Sequence, residues 1–248
     1  MQNVYISVIL PAYNEEANLD SGVLNDLVAY LKTQKFTWEI IIVNDGSSDK
    51  TFSLISKLSQ NIKEIKLVNN PHLGKAASII TGAQNSSGKI VLFTDMDQST
   101  PISELEKFIG RFNSGFDVVI GSRTKREGAP LFRQVLAYGM VFLRTLILQL
   151  PFRDTQCGFK AFTQKSARAI FPVLARVHPL KIIDYPTTNP GFDLEILYLA
   201  RKLGFKIAQV PVAWHYRASR RVSFIKDAVG GFKELLLVRY RSLTNQYS

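Results

Sequence analysis

The chain has 248 residues, enough for one or two domains, and its 46% apolar and 21% charged residues place it among globular rather than disordered chains. Its 31 Lys and Arg against 20 Asp and Glu give a net charge of +11, which points to an anionic partner: nucleic acid, a membrane surface or a phosphorylated ligand. The single cysteine, Cys157, excludes a disulfide framework and fits a reducing compartment, and with only His72, His178 and His215 beside it a Cys/His zinc centre is excluded as well.

The opening residues lack a basic region, and the apolar run at 4–10 is short and leads into Pro11, so no secretory signal is expected and the chain reads as cytoplasmic. Further β-rich apolar runs lie at 39–43, 65–68, 90–94 and 117–120, alternating with stretches of helical spacing such as Leu19, Val23, Leu27 and Leu31. That alternation predicts an α/β fold, a mainly parallel central sheet with helices on both faces. Residues 131–150 read as one very apolar helix, interrupted by Arg144 and shorter than the ~20 apolar residues of a membrane span. Residues 154–160 read as a loop into a short strand. The four prolines of 171–190 predict a mobile loop. A helix at about 192–203, a strand at 206–212, a basic segment and a final helix from about Ser223 complete the chain.

Open parallel sheets bind ligands at the carboxyl ends of their strands, so the polar residues there are the candidate site. After the first strand come Pro11-Ala12-Tyr13-Asn14-Glu15-Glu16, where Asn14 can cap a helix and Tyr13 can stack on a base. After the second come Asn44-Asp45-Gly46-Ser47-Ser48-Asp49, where Ser48 or Asp49 can cap the next helix and Asp45 can accept from a nucleobase N–H. After the fourth, Asp95-Met96-Asp97 places two carboxylates at one strand end, oxygens that a hard cation such as Mg²⁺ or Mn²⁺ takes together with phosphate oxygens. Asp97 or Ser99 can instead cap the helix that follows Pro101. No phosphate-binding loop of the ATPase type, no Gly-x-Gly-x-x-Gly and no Gly-x-Ser-x-Gly is present.

These segments, with Gly74-Lys75-Ala76-Ala77, Gly121-Ser122-Arg123, the run from Asp154 to Phe162 and Gly191-Phe192-Asp193-Leu194-Glu195, resemble glycosyltransferase family 2, over roughly 4–242 and in order. Within it they are most similar to the polyprenyl- and dolichyl-phosphate glycosyl synthases, in the β-glucosyl rather than the mannosyl branch. The resemblance implies a GT-A type nucleotide-diphospho-sugar transferase fold in a single domain. Residues 1–123 would be its nucleotide-sugar half, 124–221 its acceptor half and 222–248 a C-terminal amphipathic helix. It further implies that Pro11, Ala12, Tyr13, Glu15 and Asp45 hold base and ribose, and that Lys75 and Met96 lie near the donor. Asp95 and Asp97 are then the metal pair, with Ser99 at the place of a third ligand. Arg123 and Arg220 approach the pyrophosphate or the acceptor phosphate, Asp154 lies beside the sugar, and Asp193 stands where many members keep a catalytic carboxylate. The implied partners are a UDP-hexose, with GDP-mannose the alternative, and a polyprenyl or dolichyl phosphate.

The chemistry agrees with that resemblance. When a nucleotide-sugar bond breaks, charge builds on the departing diphosphate, which a cation and a planar guanidinium neutralise. Two rivals stay open: a transferase acting on a sugar or protein hydroxyl, and a basic nucleic-acid-binding protein. Against the second, no nucleic-acid module is visible and paired carboxylates repel phosphate in the absence of a metal.

Residues 201–248 hold ten Lys/Arg against Asp227 and Glu234. The last helix carries Ile225, Val229, Phe232, Leu236, Tyr240 and Leu243 on one stripe, which either packs on the domain or lies on an anionic membrane. In the 131–150 helix, Arg133 and Arg144 fall about 20° from one face. Either this helix is core, or it lies among headgroups with both guanidiniums reaching for phosphates; the second reading is preferred. The chain is thus expected at the inner face of a membrane, peripheral to it.

Overall fold

The computed structural model describes residues 3–123, 131–178, 182, 190–215 and 224–247, without the side chains of 131–137, 190 and 224–229. Seven strands form one sheet: β1 (Ile6–Ala12), β2 (Trp38–Asp45), β3 (Ile65–Asn70), β4 (Ile90–Phe93), β5 (Val118–Arg123), β6 (Lys160–Thr163) and β7 (Ile207–Val212). Their spatial order is β3-β2-β1-β4-β6-β5-β7. All pairings are parallel except those of β6, which runs antiparallel between β4 and β5.

The period-2 alternation of β1 decides what lies on each face. Val8 and Leu10 point to one side, where α2 (Val23–Thr33), α3 (Thr51–Asn61) and α5 (Leu105–Asn113) cover them with Leu27, Ile55 and Phe108. Ile9 points to the other, under α4 (Lys75–Gln84), with α7 (Gln164–Val177), α8 (Pro190–Lys202) and the buried side of α9 (Phe224–Leu243) in the same core. Each such side chain, fully buried, contributes ~1.5–3 kcal/mol. α4 approaches β1 so closely that a Cβ on Gly82 would collide with Ile9. The two remaining α-helices are the short α1 (Glu16–Asp20) and the long α6 (Leu131–Leu148).

Three expectations are corrected. The proline-rich stretch is not a loop from residue 171, because 171–177 is the second half of α7. Thr163 caps that helix by accepting from the Ser166 amide, and Ile170, Phe171 and Leu174 are buried along one stripe. Their burial outweighs the ~3 kcal/mol penalty of Pro172 inside the helix. Pro190 opens α8, a position that lacks an intrahelical amide bond in any case. The third correction concerns α6. Arg144 does not reach outward: it is 8% exposed, while Tyr138, Phe142 and Leu146 on the opposite side are 66–68% exposed. α6 is thus amphipathic, with Leu143 and Ile147 against the core and an aromatic-aliphatic row outside. The Arg133 side chain lies outside the described residues.

Candidate active site

The ends of β1, β2, β4, β5 and β7 converge on one edge of the sheet. At the β2 end Asp45 is buried, and its carboxylate accepts from the amides of Leu73 (2.9 Å) and Gly74 (2.8 Å) and meets His72 Nδ1 at 2.8 Å. Asp45 therefore orders the turn that delivers Lys75 at the start of α4. Tyr13, just past β1, stacks on His72 with centroids 3.9 Å apart and planes 11° apart. Gly46 is needed on two counts: its φ is +70°, and a Cβ there would press on the His72 amide at 2.8 Å.

The capping expectations hold in part. Asn14 does not cap α1; at φ 54° its Oδ1 accepts from the Ser48 amide (2.8 Å) and so ties the first loop to the second. Asp49 serves both helix starts, accepting from the amides of Glu16 (3.1 Å) and Thr51 (2.9 Å). The turn before α5 begins at Pro101 with no side-chain cap, so neither Asp97 nor Ser99 acts as one.

Asp95 and Asp97 leave β4 together. Lys75 Nζ pairs with Asp95 Oδ1 and lies within electrostatic reach of Asp97 and Asp193. Asp97 accepts from the Ser99 amide (2.8 Å) and hydroxyl (2.9 Å), so Ser99 orients the carboxylate. Met96 between them is 2% exposed and its side chain belongs to the core. Glu15 faces the same cluster: burial pushes its pKa up, the Asn18 amide bond (2.5 Å) opposes this, and the charges of Asp97 and Asp95 add to the rise.

Beneath the carboxylates runs the segment from Asp154 into β6. Gly158 touches Asp95 so closely that no Cβ fits. Lys160 is fully buried, with Nζ 2.6 Å from Asp193 Oδ1, 2.6 Å from the Cys157 carbonyl and 5.5 Å from the Phe93 ring centre. At the β5 end Arg123 grips Asp154 in a two-pronged pair, Nε–Oδ2 2.6 Å and Nη2–Oδ1 2.8 Å, while its amide donates to Oδ2 at 3.1 Å. Burial alone would raise the Asp154 pKa, but the bonds and charge of Arg123 outweigh it and hold the carboxyl below the usual carboxylate range. Trp214, just past β7, lies 5.7 Å from the Arg123 guanidinium, and the His215 amide donates to the Ser99 carbonyl at 2.8 Å.

The structure thus brings Tyr13 and Asp45 to one end of the edge, and Glu15, Lys75, Asp95, Asp97, Ser99 and Asp193 to its centre. Arg123 and Asp154 lie at the other end, and Arg220 falls outside the described residues. Pro11 and Ala12 are the last residues of β1, extending the strand beyond its expected end. Sequence reasoning passed over His72, Lys160 and Trp214. Lys160, a charge within an apolar strand, was the one that carried a signal. Among the described residues no three His, Cys, Asp or Glu side chains form a ready-made metal cage. Two adjacent strand-end carboxylates with a third acid nearby fit a hard cation that shares its shell with phosphate oxygens.

A family model described as glycosyl transferase family 2 matches residues 7–171. A dolichyl-phosphate beta-glucosyltransferase of Trichomonas vaginalis is 38% identical over 86% of this chain and 66% of its own length. The dolichyl-phosphate beta-glucosyltransferases of Dictyostelium discoideum and Homo sapiens are 34% and 33% identical over 98% of the chain and 76% and 77% of theirs. The chain therefore spans about two thirds to three quarters of the length of these relatives. Among solved structures, mannosyl-3-phosphoglycerate synthase from Rubrobacter xylanophilus superposes with a TM-score of 0.68 at 16% identity, over 98% of this chain and 75% of that one. Glucosyl-3-phosphoglycerate synthase from Mycobacterium tuberculosis, in complex with Mn²⁺, uridine diphosphate and its glucosylated product, gives 0.58 at 21%, over 95% and 80%. At such identities the likeness bears on fold alone, and the fold is the GT-A type.

Proposed function

The chain belongs to glycosyl transferase family 2, and on that footing we propose that it is an inverting, metal-dependent transferase that moves glucose from UDP-glucose to a polyprenyl phosphate at a membrane surface. The relatives at 33–38% identity, named for glucosyl transfer to dolichyl phosphate, support the sugar and the acceptor class. Tyr13 and Asp45 would hold base and ribose, Asp45 through the turn it orders at His72–Gly74. Asp95 and Asp97 would hold Mg²⁺ or Mn²⁺, which when bound supplies positive charge to the departing diphosphate. Lys75 and Arg123 bring cationic groups to the same edge, Arg123 with its planar fork already oriented by Asp154.

The choice of acceptor rests on Asp193. A hydroxyl acceptor needs a general base, whereas a phosphate monoester, with a second pKa near ~6, is already an anionic nucleophile at neutral pH. Asp193 is held by the ammonium of Lys160 at 2.6 Å, an ion pair rather than a free base. The membrane side of the proposal is supported by α6 and α9. Phe232, Leu236, Tyr240 and Leu243 of α9 are exposed, as are Tyr138, Phe142 and Leu146 of α6, while Leu235 and Val238 pack inward. The stripe read from the sequence therefore faces outward at every position whose side chain is described. No described helix is long and apolar enough to cross a membrane.

The test compares initial rates of Asp193→Asn and Arg220→Ala at saturating donor. For a phosphate acceptor, Asp193→Asn keeps substantial activity and Arg220→Ala is the more damaging change. A dead Asp193→Asn beside a near-normal Arg220→Ala would transfer the assignment to a hydroxyl acceptor, since base removal costs ~10²–10⁴-fold.

A further inference from the structure

Arg144 is a guanidinium in a place where a leucine would cost less. It projects from α6, four residues before the end of the helix, into the protein, 8% exposed, and burying such a charge is expensive unless its donors are met. They are met by one short stretch of chain. Nε donates to the Leu150 carbonyl at 3.3 Å, Nη1 to the Thr155 hydroxyl at 3.3 Å, and Nη2 to the Phe152 carbonyl. α6 stops at Leu148, Gln149 turns the chain at φ 57°, and residues 150–155 then pass beneath that guanidinium. Asp154 lies between the clamped Phe152 and Thr155. On its other side Asp154 fixes Arg123, which lies over Trp214.

We propose that Arg144 is a positioning residue for the transfer reaction: it fixes the 150–155 segment so that Asp154 presents Arg123 to phosphate. The inference rests on the role assigned above to Arg123 and Asp154, and it adds the group that sets their geometry. It also gives α6 two faces with separate tasks. Arg144 is two residues from both Phe142 and Leu146, about 200° around the helix, so the clamp lies opposite the exposed apolar row. The helix that offers that row is the one that holds the loop of the catalytic edge.

The test uses the full chain with UDP-glucose, Mn²⁺ and polyprenyl phosphate in detergent micelles. Variants are Arg144→Met, Arg144→Lys, Asp154→Asn and the Arg144→Met/Asp154→Asn pair. UDP affinity is measured by calorimetry. Emission of Trp214 is read in a Trp38→Phe background, since the chain holds only 2 tryptophans. Arg144→Met should lower kcat by about 10²-fold, the scale of an ångström-level misplacement, with UDP affinity falling by much less than kcat, because the Arg123 fork matters most where charge develops on the departing diphosphate. Its Trp214 emission should shift in the direction seen for Asp154→Asn. Arg144→Lys should recover part of kcat, and the double variant should be no slower than its slower single member, because the two residues act in series. A kcat within about threefold of the parent overturns the inference, as does UDP affinity falling in step with kcat, or losses that simply multiply in the double variant. If Arg144→Met does not fold, Arg144→Lys carries the same comparison. If Asp154→Asn is fully active, the catalytic role of the Arg123–Asp154 pair fails, and the Trp214 shift in Arg144→Met still decides whether the clamp exists.

Discussion

Asp97 takes two hydrogen bonds from Ser99, at 2.8 and 2.9 Å, so its carboxylate is oriented before a ligand arrives. It contributes little to the core, so Asp97→Ala should lower transfer by at least about 10²-fold, as loss of a charge-stabilising group does, and leave the melting temperature nearly unchanged. Rates and a thermal melt on one preparation check both halves. Asp154 behaves differently because Arg123 holds its pKa down against burial. The sign follows from that depression. The stabilisation is complete above the unfolded Asp value of about 3.9 and is lost as pH falls through the lower folded value. Asp154→Asn should therefore be destabilised by about 1–3 kcal/mol at pH 7, and the gap from the parent should close in acid below pH about 3.9. Denaturant midpoints across pH measure it. At this scale the sequence was informative wherever a polar residue stood at a strand end, as at Asp45, Asp95, Asp97 and Arg123. His72 and Lys160 were not found, because their partners Asp45 and Asp193 lie 27 and 33 residues away and only the fold brings them together.

Glu195 ties together elements that the sequence read separately. Buried in α8, it accepts from Arg241 of α9 (2.5 Å) and from the Tyr247 hydroxyl (2.6 Å), and meets His178 at the end of α7. Removing one member of such a buried network leaves the others unpaired, so Glu195→Ala should cost about 3–5 kcal/mol, against under about 0.5 kcal/mol for an exposed change such as Phe142→Ser. Denaturant unfolding of both variants decides this. The exposed rows of α6 and α9 carry the second element-scale prediction. Phe142→Glu with Leu236→Glu should weaken pelleting with anionic vesicles while leaving transfer in micelles intact; undiminished pelleting would place the membrane face elsewhere. The stripe on α9 was legible from its spacing. The inward turn of Arg144 was not, because helical periodicity places a residue on a face without saying which face meets the core. Likewise Pro172 read as a breaker, since proline penalties are local and the burial that overrides them in α7 is tertiary.

Over the whole molecule, the repeating strand-helix alternation of the first 121 residues made the parallel sheet legible. The short strand after the 154–160 loop was legible, but its insertion between β4 and β5 was not, since its place and its antiparallel direction depend on partners 40–73 residues away. That insertion is what carries Gly158 against Asp95 and Lys160 under Asp193, so the part of the fold hidden from the sequence is the floor of the site. The excess of positive charge, concentrated after residue 201, fits a protein that meets anionic lipid. The central claim is transfer of a hexose to a lipid phosphate, and one assay tests it most directly. Radiolabelled UDP-glucose and GDP-mannose are each incubated with the protein and anionic vesicles holding either polyprenyl phosphate or the corresponding polyprenol, with Mn²⁺ or with excess EDTA. The account predicts labelled lipid from UDP-glucose with the phosphate acceptor and Mn²⁺, and little in the other arms. Equal labelling of the polyprenol, or labelling undiminished by EDTA, would contradict it.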